Sequence, residues 1–212
     1  MDKKKVILVG GGGHCKSIID AIKSLGEYTI AGIVDIEENI GKVIYGVTVI
    51  GKDEDLKLLY NRGVKYAFIA VGSIGDVEVR EKLYSKAKEI GFEFPFIRDA
   101  SSIISKNVVV EEGAFIGKGV IINSDASIKA NAIINSGAII EHDCKIEEFV
   151  HIAPGATICG GVSVGYATHI GCNASVIQGV KIGRSVLIGA GCVVTKNVKD
   201  NSKVIGNPCR EV

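Results

Sequence analysis

From Ile104 to Val194 every sixth residue is isoleucine or valine, sixteen positions in a row without an insertion. A period of six matches neither a helix nor an alternating strand. It predicts a chain that turns a corner every six residues, three short sides closing a coil of eighteen residues, as in a hexapeptide β-helix. Two residues before each aliphatic lies a small or β-branched residue, among them Ala114, Ala126, Ala138, Cys144, Ala156 and Cys192. That spacing puts both on one face of a short strand, which is expected to point inward. The residue after the aliphatic is often glycine (Gly117, Gly165, Gly171, Gly183, Gly189) or asparagine (Asn123, Asn135). These types are expected to supply the positive φ of tight turns.

Residues 1–97 carry a different pattern, so two domains are expected, 1–97 and 98–212. An apolar run, Lys5–Val9, ends in four glycines, Gly10 to Gly13, and Ile18, Ile19, Ile22 and Leu25 then recur at helical spacing. Tyr28–Val34 and Tyr66–Val71 read as strands, Lys52–Asn61 and Val77–Ile90 as helices, and Phe92–Ile97 as a last strand. On the second long helix Arg80, Lys82, Lys86 and Lys88 are expected outside. Alternating strands and helices predict a parallel, Rossmann-like α/β sheet. Such sheets bind ligands beyond the carboxyl ends of their strands, where the glycine run, Asp35 and Gly72-Ser73 all fall.

Composition narrows the function classes. A net charge of +1 gives no electrostatic case for nucleic acid or an anionic membrane, and no apolar run approaches a membrane span. The apolar run after the basic start is too short for a signal-peptide core, so a cytoplasmic protein is expected. Six cysteines show no C-x-x-C pairing; Cys144 and Cys192 occupy the inward position and are expected as core thiols. No metal site is expected.

The candidate chemistry lies in two places. A glycine turn between strand and helix offers backbone N–H groups to a phosphate. Gly10 and Gly12 fit the G-x-G-x-x-G spacing, but Cys15 stands at the third glycine, so a ligand-free tight turn fits equally well. Asp35 at the end of the second strand suits a ribose or base contact, or simply a turn or N-cap. In the solenoid, His142 lies in Glu141-His142-Asp143. An imidazole can take a proton from an amine or hydroxyl, and a neighbouring carboxylate can fix its tautomer. Adjacent residues on a flat strand point apart, so His142 and Asp143 meet only if the backbone turns between them. His151 and His169 are one coil apart and are expected to stack on the outer wall.

Together the glycine-rich opening with His14, the sixfold repeats, Asn135, Ile140-Glu141-His142-Asp143 and His151 resemble bacterial sugar acyltransferases of the left-handed β-helix superfamily. Within it the closest resemblance is to sialic acid O-acetyltransferases and to N-acetyltransferases of nucleotide-linked 4-amino sugars. The resemblance implies a left-handed coil, a homotrimer and acetyl-CoA lying in the groove between two β-helices. It implies His142 as general base supported by Asp143, His151 at the acetyl group, and Gly160 and Gly171 beside the pantetheine. It places Gly12, Gly13, His14 and Asp35 on the nucleotide-sugar side, where Gly72, Ser73 and Asn135 are further substrate candidates. The expected substrate is a nucleotide-linked 4-amino-4,6-dideoxy sugar, with a sialic acid hydroxyl as the alternative. A covalent route through Cys144, an NAD-dependent enzyme and a carbonic-anhydrase-like zinc protein are the remaining rivals.

Overall fold

A computed structural model of the chain describes residues 3–212. Two compact units form: one holds the residues up to Ser73 together with Val77–Ile97, the other Ile74–Asp76 and Arg98–Val212. Among the described residues no helix is long and apolar enough to cross a membrane.

The first unit is a five-stranded sheet with helices. Its elements are β1 (Lys4–Val9), α1 (Gly13–Leu25), β2 (Tyr28–Val34), β3 (Val43–Ile44), β4 (Val47–Gly51), α2 (Leu56–Asn61), β5 (Tyr66–Ile69) and α3 (Glu78–Ile90). The sheet order is β3-β4-β2-β1-β5. All pairings are parallel except the β3–β4 hairpin. The α1 face that carries Cys15, Ile18, Ile19 and Ile22 is buried, and Ile7, Val9, Val34, Leu56, Ala67, Ile69 and Phe92 form part of the core. Three details differ from the sequence reading. The β3–β4 hairpin is additional; Tyr45 and Gly46 turn it with φ of 48° and 80°, a type I′ pattern. Phe92–Ile97 is not one strand: Glu93 makes an isolated bridge to Tyr66, Pro95 interrupts the run, and Ile97 begins the two-residue strand Ile97–Arg98. Arg80 is inside rather than outside, 2% exposed, with its guanidinium 3.4 Å from Ser73 Oγ. Burial pushes its pKa down to about 10.

The second unit is a three-sided parallel β-helix. Its first wall stacks Ile103–Ile104, Ile121–Ile122, Ile139–Ile140, Thr157–Ile158, Ser175–Val176 and Val193–Val194. The second wall stacks Val109–Val110, Ser127–Ile128, Lys145–Ile146, Ser163–Val164 and Lys181–Ile182. The third includes Phe115–Ile116, Ile133–Ile134, His151–Ile152, His169–Ile170 and Leu187–Ile188. Register partners are one coil apart, as in Ile122↔Ile140 and Ile134↔Ile152. The six-spaced aliphatics from Ile116 onward and the small residues before them fill the core, Cys144 and Cys192 included. After Lys203–Ile205 the antiparallel segment Arg210–Glu211 closes the last coil.

The corners correct one expectation. Positive φ falls three residues after the aliphatic, not one. Fourteen consecutive positions six apart, from Gly113 to Gly191, have φ between 52° and 70°. Half of them are not glycine: Asp125, Asn131, Asp143, Phe149, Ala167, Asn173 and Ser185. The glycines directly after the aliphatics answer a different need. A Cβ on Gly171 would lie 2.5 Å from the backbone nitrogen of Ala190, and one on Gly165 would lie 2.6 Å from the carbonyl carbon of Gly183. These glycines let successive coils stack closely.

The two kinds of glycine separate in a stability test. Gly161 has φ 68° and open space around its Cα. Asparagine tolerates that conformation, so Gly161→Asn is expected to cost under about 1 kcal/mol. Gly171→Asn meets backbone and is expected to cost about 1–3 kcal/mol or more. Thermal denaturation of the two variants should give Gly171→Asn the clearly lower midpoint.

Candidate active site

His142 stands on the edge where the first wall, ending at Ile140, turns into the second, starting at Lys145. The turn residue is Asp143, with φ 61°. Aspartate enters the left-handed region more readily than most side chains. The turn brings two consecutive side chains together: His142 Nδ1 lies 2.8 Å from Asp143 Oδ2. The carboxylate accepts, so Nδ1 carries the proton and Nε2 is left to take one. Both side chains are about two-thirds exposed, at 63% and 66%. The hydrogen bond from Asp143 raises the imidazole pKa above its ordinary 6.5, with smaller contributions from the charges of Asp143 and Glu141.

The ring needs the residue beneath it to be bare. A Cβ on Gly160 would lie 2.6 Å from both Cε1 and Nε2 of His142. Gly160 thus makes room for the imidazole one coil above it, and Gly161 N–H donates to the His142 carbonyl at 2.9 Å. Gly171 by contrast faces the next coil at Gly189-Ala190. Cys144 is fully buried, its Sγ 3.1 Å from the Cys159 carbonyl oxygen, and burial pushes its thiol up to about 11. A thiol so protonated and enclosed is a poor nucleophile, which removes the basis for a covalent route.

His151 and His169 occupy the third wall as register partners, rings edge to face with centroids 4.8 Å apart and an interplanar angle of 81°. They stack as the eighteen-residue spacing predicts. The expected exposure fails for His169, which is only 7% exposed and held near a pKa of about 4 by burial and by the neighbouring His151. Asn135 Nδ2 lies 3.4 Å from His151 Nε2. In a three-sided coil the edge between the first and second walls is opposite the third wall. His142 and His151 of one chain therefore do not converge.

The first unit holds the second candidate region, a cleft of about 530 Å³ lined by Gly10 to His14, Asp35, Asn39, Ala70, Val71 and Gly72. The glycine run divides into two pairs. A Cβ on Gly10 would meet Val71, and one on Gly11 would meet Asp35 and Ile44; Gly12 and Gly13 face open space. Gly12 is the N-cap of α1, with no side-chain cap and no acidic residue in the first turn. Cys15, at the third fingerprint position, is buried beneath the helix and its thiol is pushed up to about 12. Asp35 accepts from the Ile36 N–H at 2.9 Å and from Asn39 Nδ2 at 2.8 Å, and Lys42 Nζ donates to Asn39 Oδ1 at 2.6 Å. The sequence reading missed Asn39; its place four residues after a strand-end acid was the available signal. Ser73 does not line the cleft and faces Arg80 instead. Among the described residues no group of three or more His, Cys, Asp or Glu side chains is arranged to hold a metal ion.

An exposed, carboxylate-backed imidazole on a hexapeptide coil marks the class as hexapeptide-repeat acyltransferase. Residues 5–87 match the PglD N-terminal domain family, and residues 125–160 match the bacterial transferase hexapeptide family (six repeats). Among solved structures, a variant of perosamine N-acetyltransferase from Caulobacter crescentus in complex with CoA and GDP-perosamine is 38% identical. It aligns over 98% of this chain and 96% of its own, with a TM-score of 0.92. The acetyltransferase domain of PglB from Neisseria gonorrhoeae FA1090, in complex with acetyl coenzyme A, is 28% identical over the whole of both chains, with a TM-score of 0.88. WeeI from Acinetobacter baumannii AYE shares the fold at 23% identity and a TM-score of 0.86, over 99% of this chain and all of its own. Among curated proteins, none matches the chain. The chain belongs to the hexapeptide-repeat sugar acetyltransferases that carry a PglD-type N-terminal domain. It is an acetyl-CoA-dependent sugar acetyltransferase, and its solenoid is the left-handed parallel β-helix.

The pairing of His142 with Asp143 predicts a titration shift. Because the carboxylate raises the imidazole pKa, Asp143→Asn should lower it toward 6.5, leaving less imidazolium at any pH near neutrality. Glu141→Gln should lower it less, since Glu141 acts only through its charge. Histidine ring NMR across the pH range reads both; a His142 midpoint unmoved by Asp143→Asn would separate the pair.

Proposed function

We propose that the chain transfers an acetyl group from acetyl-CoA to the amine of a nucleotide-linked 4-amino-4,6-dideoxy sugar, with His142 as general base. The observation that carries this reading is the 2.8 Å hydrogen bond from His142 Nδ1 to Asp143 Oδ2, which leaves Nε2 to accept a proton on an exposed edge. The sugar nitrogen attacks the thioester carbonyl while Nε2 takes its proton. The tetrahedral intermediate then collapses, the C–S bond breaks, and the imidazolium returns the proton to the departing CoA sulfur. Holding amine and thioester together supplies much of the rate. Positioned base catalysis adds about 100- to 10,000-fold.

The nucleotide-sugar half of the reading rests on the first unit. Asp35 presents only acceptor oxygens, which suits ribose hydroxyls or base N–H groups and repels phosphate. The uncapped N-terminus of α1 at Gly12, Gly13 and His14 suits the phosphates. The relative crystallised with GDP-perosamine supports an amine acceptor over a sialic acid hydroxyl. Six unpaired cysteines and an acetyl-CoA co-substrate fit the reducing cytoplasm.

A homotrimer completes the proposal. The outer row of the first wall, beside the His142 edge, begins Ile103, Ile121, Ile139, with Ile103 64% exposed. The equivalent row on the second wall begins with the exposed Val109 but continues through Ser127, Lys145, Ser163 and Lys181. Packing of a second copy against the isoleucine row would set His142 of one chain in a groove with a neighbour. His142 and His151 then act together only when they come from two chains.

Two experiments test this. Acetyl-CoA with a panel of nucleotide-linked amino sugars should release free thiol, and His142→Ala should lower kcat about 100- to 10,000-fold without changing the oligomer. Thiol release with free sialic acid and with no amino sugar would overturn the amine assignment. Sedimentation should give three times the 22.3 kDa chain mass. Ile121→Asp should yield a folded, inactive monomer.

A further inference from the structure

We propose that Asn135 and His169 are positioning residues that hold His151 as the neutral tautomer protonated at Nδ1, so that this ring serves acetyl transfer as a hydrogen-bond donor and not as a second base. The assignment rests on the acetyl-transfer reading above only for its last clause; the tautomer follows from the structure alone.

The Asn135 amide is fixed in orientation by its own backbone. The backbone N–H of Ser136 donates to Asn135 Oδ1 at 2.8 Å. A backbone N–H can only donate, so the atom facing it is the oxygen. A flipped amide would set two donors against each other at that distance. The Asn135 nitrogen is thereby turned to His151 Nε2, 3.4 Å away. An amide nitrogen also only donates, so Nε2 must offer a lone pair and the ring proton lies on Nδ1. Protonation of Nε2 would set N–H against NH₂, so the same contact disfavours the imidazolium. Both polar atoms of the Asn135 side chain are committed within the coil, which favours positioning over the direct substrate contact expected from the sequence.

His169 supplies the second constraint. It packs edge to face against His151, so it limits the rotation of that ring about its own axis. It is 7% exposed, and its Nδ1 is buried without a hydrogen-bond partner. Charging it would bury an uncompensated cation. Along the third wall the histidine pair is flanked by Ile133 above and Leu187 below. Within the row His151 has Ile133 and His169 as register neighbours, whereas Asp143 backs His142. The two exposed-edge and wall imidazoles therefore differ in partner and in role: a carboxylate makes His142 basic, and an amide makes His151 a donor. A neutral N–H of fixed direction is the group that stabilises a developing oxyanion without reorganising.

The chain has four histidines, so ¹⁵N-histidine labelling of the full protein with long-range ¹H–¹⁵N correlation resolves every ring. His151, assigned by loss of its signals in His151→Ala, should show the Nδ1–H pattern at neutral pH. Asn135→Asp, which puts an acceptor opposite Nε2, should convert it to the Nε2–H or doubly protonated pattern. His169→Ala should blur the single tautomer into a mixture, and His169→Phe, which keeps an edge-to-face ring, should restore it. In turnover, Asn135→Asp should lower kcat by on the order of 100-fold, with KM for acetyl-CoA changed far less. A wild-type His151 that is charged or Nε2-protonated, or a tautomer indifferent to Asn135→Asp, would overturn the assignment. A converted tautomer with unchanged kcat would overturn its role in transfer. A wild-type protein with the Nδ1–H pattern that acetylates no amino sugar would overturn the function proposed above and leave the tautomer standing.

Discussion

At the corners from Asn131 onward a residue in the left-handed conformation donates its N–H to the carbonyl nineteen residues earlier. Eleven such bonds run without a break from Asn131→Glu112 to Gly191→Cys172, at 2.7–3.1 Å. The two-residue strands alone provide few ladder bonds, and corners are where buried backbone groups most easily go unpaired. The corner bond closes that gap and sets the eighteen-residue repeat, which lets the aliphatics stack in register. It also explains why aspartate and asparagine share these positions with glycine, since all three enter the left-handed region at modest cost.

The same constraint makes the candidate catalytic pair. On a flat strand His142 and Asp143 would point to opposite faces. Because Asp143 takes the corner position, its carboxylate swings onto the imidazole. The geometry that satisfies the backbone therefore also tunes the proposed base, and no separate loop is needed. The bare Gly160 beneath the ring completes the arrangement from the next coil. A prism also keeps its edges and walls apart, so the His142 ring on an edge and the His151 ring on the opposite wall do not meet within one chain.

The repeat, its inward face and the buried thiols of Cys144 and Cys192 were legible because a strict period fixes side-chain direction whatever lies around it. The parallel sheet and the strand-end position of Gly12, Gly13 and Asp35 were legible for a similar reason: alternation of strand and helix leaves few topologies. What failed depended on neighbours distant in sequence. Glycine after each aliphatic suggested positive φ, but its cause is the adjoining coil, which a linear pattern does not show. His169 was placed correctly on the outer wall, yet its burial depends on what covers that wall. Arg80 fits the polar face of its helix by spacing and is nonetheless inside. The hairpin at Val43–Gly51 carried β-branched residues around Tyr45-Gly46 and was readable, but lay outside the strand–helix alternation that organised the reading.

The nineteen-residue reach of the corner bond makes the length of this solenoid discrete. An insertion of a few residues in a wall would leave the carbonyls of one coil and the N–H groups of the next out of phase across the insertion. A whole coil can be gained or lost without that penalty. A coil inserted between Gly161 and His169 would separate His151 from His169 while leaving His142, Asp143 and Gly160 together. The length of this scaffold therefore changes in steps of eighteen residues, and the place of each step decides which wall residues remain neighbours.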